Sequence, residues 1–229
     1  MITQEEKKKN AAERAMHYIK DGMVVGLGTG STVMYLLEFI AQQNFKIVGV
    51  TTSKKTSKIC EKLGIKVVDI DDVDHIDITI DGADEVDSYM NGIKGGGAAL
   101  LMEKIVAKNS LKNIWIVDDS KIHDVLGSFP LPVEVIPYGS GQLVQRFNDL
   151  GLNPVIRKNA AKETILTDSG HYIIDLHLNA IDNPQNLADY LERQVGTVEH
   201  GLFLNVADIV IIGSDHIIVK EKRVKMKKD

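Results

Sequence analysis

The sequence predicts an α/β protein, a mostly parallel sheet flanked by helices and accompanied by a ferredoxin-like α+β unit. Three observations predict it. Short β-branched runs alternate with helical patterns over the first half of the chain, the signature of a parallel sheet covered on both faces. The pattern then changes at PLPVEVIP (Pro130 to Pro137), where three of the five prolines fall. Beyond that run the order reads as β-α-β-β-α, that of a split ferredoxin-like unit.

Thr3 and Glu6 have capping-box spacing and open a helix that Gly22 is expected to close. MVVGLG reads as the first strand, followed by GTGST and an amphipathic helix from about Thr32 to Gln43. KIVGVTT is the second strand, Ser53 the N-cap of the next helix and Gly64 its stop. KVVDI reads as a short third strand and IDITID, ending at Asp81, as the fourth. A helix from about Ala98 to Asn109 leads to the strand NIWIVDD. Beyond the prolines come a helix near Gln142 to Leu150, strands NPVIRK and ETILTD, a Ser169-Gly170 turn, strand HYIIDL and a helix near Pro184 to Gln194. DIVIIGS (Asp208 to Ser214) fits a last strand of either unit. There is no internal repeat or low-complexity segment.

Composition narrows the function classes. The 229 residues carry a net charge of −5, which argues against a nucleic-acid surface. The basic tail, Lys220 to Lys228, reads as a solvated terminus. Cys60 stands alone and so forms no intrachain disulfide, which fits a reducing compartment; its helical neighbours Ile59 and Leu63 mark it as packing. No run reaches the length of a membrane span and the N-terminus has no apolar signal region, so a cytoplasmic protein without membrane partners is expected.

The polar motifs gather where strands end. Gly28 to Thr32, Thr51 to Ser53, Asp81 to Asp84 and Asp118 to Lys121 each follow a strand, and in a parallel sheet those ends share one crevice. GLGTGST lacks the third glycine of a dinucleotide fingerprint, and no acidic residue ends the second strand. It also lacks the Gly-Lys pair of a Walker loop. A shorter phosphate suits it better, cradled by backbone amides, the following helix N-terminus and the hydroxyls of Ser31 and Thr32. The Asp77-x-Thr79-x-Asp81-Gly82 run has Ser88 where a calcium loop needs Glu, and the seven histidines show no ligand spacing. Glu103 has only apolar residues three and four positions away and no local ion-pair partner. Burial would raise its pKa toward that of a useful base. Lys94, beside three glycines, fits an electrophilic role.

Taken together, GTGST, TTS, DGADEVD, KGGGAAL with Glu103, DDSK and LPVEV resemble ribose-5-phosphate isomerase A in order and spacing, and TDSGHYIID and VEHGLF are similar to that family's C-terminal half. The family's usual run is KGGGGAL; here Ala98 replaces the fourth glycine, and TDSGHYIID departs from the commoner TDNGN form. The resemblance implies a cofactor-free, metal-free interconversion of D-ribose 5-phosphate and D-ribulose 5-phosphate through an enediolate, in the non-oxidative pentose phosphate pathway. It implies that Glu103 carries the proton between carbons, that Asp81 and Asp84 bind substrate hydroxyls and move their protons, and that Lys94 neutralises the oxyanion. Thr29, Gly30, Ser31, Thr32 and Lys121 would hold substrate, with Gly82, Ala83, Gly95, Gly96 and Gly97 completing its contacts and Lys8 a weaker phosphate ligand. It further implies a discontinuous Rossmann-like domain of residues 1–128 and 205–229, an inserted ferredoxin-like domain of residues 129–204, and a homodimer or homotetramer. The rival readings are a non-catalytic sugar-phosphate sensor on the same fold, which would normally carry a DNA-binding module, and an amino-sugar phosphate deaminase or acyl-CoA transferase, which the DGAD, KGGG and Glu103 combination disfavours.

Overall fold

The computed structural model describes residues 2–222. Helix α1 (Gln4–Ala15) opens with the expected capping box, Thr3 N–H donating to Glu6 at 2.7 Å and Glu6 N–H to the Thr3 hydroxyl at 3.2 Å. It ends earlier than Gly22. A 3-10 turn over Met16–Tyr18 comes next, and the extended backbone of Ile19 stops it, with Met16 and Ile19 buried in the core. Then come β1 (Val24–Leu27), α2 (Ser31–Gln42), β2 (Val48–Thr51), α3 (Lys54–Lys62) capped by Ser53 as expected, and β3 (Ile78–Asp81). Two very short strands, β4 (Glu85–Val86) and β5 (Gly92–Ile93), precede α4 (Leu100–Lys108) and β6 (Asn113–Asp118). The second half contains β7 (Leu131–Val135), α5 (Ser140–Asp149), β8 (Pro154–Ile156), β9 (Tyr172–Leu176), α6 (Pro184–Glu192) and β10 (Thr197–His200). The chain closes with β11 (Leu202–Phe203), β12 (Ile209–Gly213) and β13 (Ile218–Glu221).

The central sheet has the order β13-β12-β6-β3-β1-β2, parallel except for β13 at the edge. Every residue of β6 is buried, as a strand covered on both faces requires. Its Ile114 and Ile116 face a core shared with Ala12, Ala15 and Leu36 of α1 and α2, while Trp115 and Val117 face a second core with Ala107 and Phe203. Helix α1 passes close over the end of β12: a Cβ at Gly213 would overlap the Lys7 carbonyl. From β1 the chain moves outward to β2 and then crosses back to β3 on the other side. The crevice between β1 and β3 is therefore the switch point at which such sheets bind ligands.

The second sheet is wholly antiparallel in the order β10-β7-β9-β8. Numbered within its own β-α-β-β-α-β unit this is 4-1-3-2, the ferredoxin-like arrangement expected from the sequence. Its inner face (Val133, Val135, Ile174, Leu176) packs on Leu143 and Phe147 of α5 and Ala188 and Leu191 of α6. The chain then returns: β11 pairs with β5, and β12 enters the central sheet beside β6. DIVIIGS thus completes the first sheet.

Two expected strands are absent. KVVDI makes one bridge, Gly49 to Val67, before the Asp69 side chain caps Asp71 N–H and turns the chain into a 3-10 segment. ETILTD makes one bridge, Lys158 to Thr164, because residues 159–163 close a turn through Asn159 and Glu163. Of the basic tail, Lys220 lies in β13, and residues 223–228 lie outside the described residues. No helix among the described residues is long and apolar enough to cross a membrane.

Candidate active site

Gly28 begins the site. Asp81 fills the space a side chain at Gly28 would need, so a Cβ there would collide with its carboxylate. The loop then reaches Gly30, whose φ of 131° is open to glycine and strained for other residues. Gly30 precedes α2, whose N-terminus has no side-chain cap and no acidic residue in its first turn. With Ser31 and Thr32 it lines the cleft, leaving the positive end of the helix to an anion.

Thr29 contributes differently from expectation. Its N–H donates to Asp81 Oδ1 at 3.0 Å, but its hydroxyl is bound to Thr52 (2.9 Å), Ser53 (2.8 Å) and Thr56 (3.2 Å). Thr29 still borders the cleft, while the Thr51-Thr52-Ser53 segment lies behind it as a support. The expectation that this segment faces the crevice is corrected: the Thr51 hydroxyl is paired with Ser57, those of Thr52 and Ser53 with Thr29, and Thr52 is fully buried.

Lys94 is the centre of the constellation. Its side chain is 3% exposed, and its Nζ lies 2.9 Å from Asp81 Oδ2, 3.1 Å from Glu103 Oε1 and 2.6 Å from the Gly82 carbonyl. The residue follows β5, and its N–H is anchored on the Gly201 carbonyl at 2.9 Å. The Phe203 ring centroid sits 5.4 Å from the ammonium. Burial alone would lower the Lys94 pKa, but Asp81 and Glu103 outweigh it and hold the group charged. Asp81 spends both oxygens, Oδ2 on Lys94 and Oδ1 on the N–H groups of Thr29 and Gly82.

Glu103, on the first turn of α4, does have an ion-pair partner, supplied by the fold and not by its own helix. One lysine cannot satisfy two buried carboxylates fully. Burial first, opposed by Lys94 and reinforced by Asp81, pushes the Glu103 carboxyl up to about 8. Its Oε2 is buried without a hydrogen-bond partner. Asp84 accepts the Gly96 N–H at 2.8 Å, and burial raises its pKa against the pull of that bond and of Lys94, Lys121 and Arg157.

The remaining expected residues line the same cleft: Gly82, Ala83, Gly95, Gly96, Gly97, Lys121 and Lys8. Lys121 ends a 3-10 turn capped by Asp118, and Lys8 reaches in from α1 while paired with Glu5 at 2.7 Å. Gln4, absent from the sequence expectations, joins them from the start of α1. Arg157 is likewise absent from them; it stands behind the glycine loop, 2.8 Å from the Gly95 carbonyl. Among the described residues no group of three or more His, Cys, Asp or Glu side chains is arranged to hold a metal.

A family model, ribose 5-phosphate isomerase A (phosphoriboisomerase A), matches residues 48–216. The chain belongs to this family. Ribose-5-phosphate isomerase A of Bifidobacterium adolescentis is 57% identical over 210 residues, 90% of each chain. A solved D-ribose-5-phosphate isomerase in complex with phospho-erythronic acid superposes with a TM-score of 0.93 at 37% identity, covering 96% of this chain and all of that one. The ribose 5-phosphate isomerase A of Neisseria gonorrhoeae gives 0.91 at 36% identity over 96% of this chain and 98% of its own. Phosphoriboisomerase A relatives therefore match both halves of the fold, the sheet that carries the cleft and the inserted antiparallel unit.

Proposed function

We propose that this family member interconverts D-ribose 5-phosphate and D-ribulose 5-phosphate through an enediolate, with Glu103 as the base. The observation that carries the assignment is Glu103 Oε2, a buried carboxylate oxygen without a partner in a cleft lined by an uncapped helix N-terminus. In the open-chain aldose, Glu103 removes the proton from C2. The C–H electrons form the C1=C2 bond, and the carbonyl electrons move onto O1. Lys94, already charged and fixed, balances that oxyanion. A proton passes from the C2 hydroxyl to O1, the C2 carbonyl forms, and Glu103 returns its proton to C1.

Asp84 suits the hydroxyl proton transfer, because its raised pKa favours a group that both gives and takes a proton. Asp81, with both oxygens committed, suits a holding role for Lys94 and the loop at Thr29. Ser31, Thr32 and Lys121 would take the phosphate, with Lys8 and Gln4 at the margin. A complete acid-base set supports an enzyme over a sensor on the same fold, since mere binding has no use for a buried, unpartnered base.

The same reading takes residues 1–128 and 205–229 as the catalytic unit and 129–204 as the insert, a division that strand membership supports except at β11 (Leu202–Phe203), which pairs with β5. It takes the protein as cytoplasmic, as a phosphorylated substrate suggests, and as a homodimer or homotetramer, to which exposed apolar groups such as Met102 and Ile105 on α4 lend support. Static light scattering checks the assembly. The activity itself is tested by following ribulose 5-phosphate formation from ribose 5-phosphate with purified protein, in ordinary and in heavy water. Turnover with deuterium incorporated at the carbon that receives the proton is the expected result. No turnover of either pentose phosphate would refute the reading.

A further inference from the structure

Arg157 follows β8 and so belongs to the inserted unit, yet its guanidinium reaches across to the loop that carries the cleft glycines. Its Nη1 donates to the carbonyls of Gly95 at 2.8 Å and Gly96 at 3.1 Å. On the other side of the fork, Nε donates to Asp175 Oδ2 at 2.7 Å and Nη2 to Asp175 Oδ1. Asp175, on β9, therefore fixes the plane of a guanidinium that is only 15% exposed. Arg157 does not line the cleft, and four of its five N–H groups are committed to protein acceptors. It is not a substrate ligand.

Its effect passes through a peptide plane. All peptide bonds among the described residues are trans, and a trans peptide points its carbonyl and its N–H in opposite directions. The Gly95 carbonyl is drawn to Arg157, so the N–H of that same peptide, belonging to Gly96, is aimed the other way. It meets Asp84 Oδ2 at 2.8 Å. The loop adds one restraint of its own, the Ala98 N–H donating to the same Gly95 carbonyl at 2.9 Å, so Arg157 shares that carbonyl with a turn. Three consecutive glycines carry no side chains to anchor the loop further, and Gly95 has a φ of 106°. A Cβ at Gly96 would press on Asp84, so the peptide and the carboxylate are in direct contact.

We infer that Arg157 is a positioning residue for Asp84, acting from the inserted unit through the Gly95–Gly96 peptide. The inference rests on the role given to Asp84 above. A Lys at 157 keeps the charge but cannot hold a carboxylate bidentately and two carbonyls at once.

The test measures Arg157→Lys alone and combined with Asp84→Asn, with urea denaturation confirming that each variant is folded in the assay. Arg157→Lys should lower kcat at least about tenfold, the scale of a small misplacement of a reacting group. Inhibition by inorganic phosphate, which on the reading above would bind at Ser31, Thr32 and Lys121, should change less than about twofold, a split that general loosening of the fold would not produce. In the Asp84→Asn background the same substitution should cost less than about twofold, because its target is gone. Asp175→Asn should move kcat in the same direction and serves if Arg157→Lys does not fold. Equal losses from Arg157→Lys in both backgrounds, or none in either, would overturn the inference. Asp84→Asn alone separates the two claims. Full activity in it removes the role of Asp84 and the inference together, whereas an impaired Asp84→Asn beside an unimpaired Arg157→Lys removes only the latter.

Discussion

Glu103 gives one carboxylate oxygen to Lys94 at 3.1 Å and keeps the other buried and free. An orphaned buried acceptor costs about 1–3 kcal/mol. Glu134 Oε2 and Asn113 Oδ1 share that condition, but of these groups only Glu103 lines the cleft. Replacing Glu103 with Gln should therefore lower kcat by at least about 100-fold, the scale of a positioned base. KM should change little, because the amide keeps the shape. Steady-state kinetics decide it, and a variant retaining more than half its activity would shift the base elsewhere.

The pH dependence follows from the raised Glu103 pKa of about 8. The base works as carboxylate, so kcat/KM should rise with pH below that value and level off above it. In Glu103→Gln whatever turnover remains should lack this limb. A profile already flat from pH 5 upward would contradict the assignment.

Stability should move the opposite way. The folded-state pKa lies above that of the unfolded chain, so folding takes up a proton between the two values. Stability is then highest below the unfolded pKa and is lost as pH rises through about 8. Glu103→Gln removes that loss, and its melting temperature should exceed the parent's at pH 8 by more than at pH 5. Scanning calorimetry at the two pH values reads the difference.

Lys121→Ala and Thr32→Ala should raise KM more than they lower kcat, because uniform phosphate binding sets KM. Lys94→Ala should do the reverse. It should also destabilise the fold by about 3–5 kcal/mol, since it strands Asp81 and Glu103 without their counter-charge. Kinetics and urea denaturation on the three variants separate these roles.

Ala98 offers a test away from the chemistry. Its φ of 58° places an alanine in the left-handed region, which costs an L-residue about 1–2 kcal/mol relative to glycine. Ala98→Gly should raise the urea midpoint without a large change in kcat. An unchanged or lower midpoint would show that the added freedom of a four-glycine run cancels the relief.

The sequence is most legible where one local pattern carries the information. The Thr3–Glu6 capping box, the Ser53 cap and the strand ends bearing Asp81 and Asp118 follow from spacing over a few residues. KVVDI and ETILTD mislead because their β-propensity is high while an Asx cap and a tight turn locally prevail. The two-residue strands β4 and β5 are too short to show a period. The partner of Glu103 is illegible for another reason: it is a lysine on a different element, and helix spacing reports only neighbours on the same helix. Arg157 lies furthest from view, because its meeting with Gly95 depends on how the inserted unit sits against the glycine loop.

The position of β12 between β6 and β13 has a consequence for how the chain comes to exist at all. Until residues 209–213 arrive, the fully buried strand Asn113–Asp118 has an open side, with unpaired backbone groups flanked by isoleucine, tryptophan and valine. Such an edge invites pairing with any extended segment nearby, including the same strand of another molecule. A nascent chain thus carries this open edge from the time residue 118 is made until residue 209 follows, and a fragment ending after the inserted unit should aggregate more readily than the whole protein.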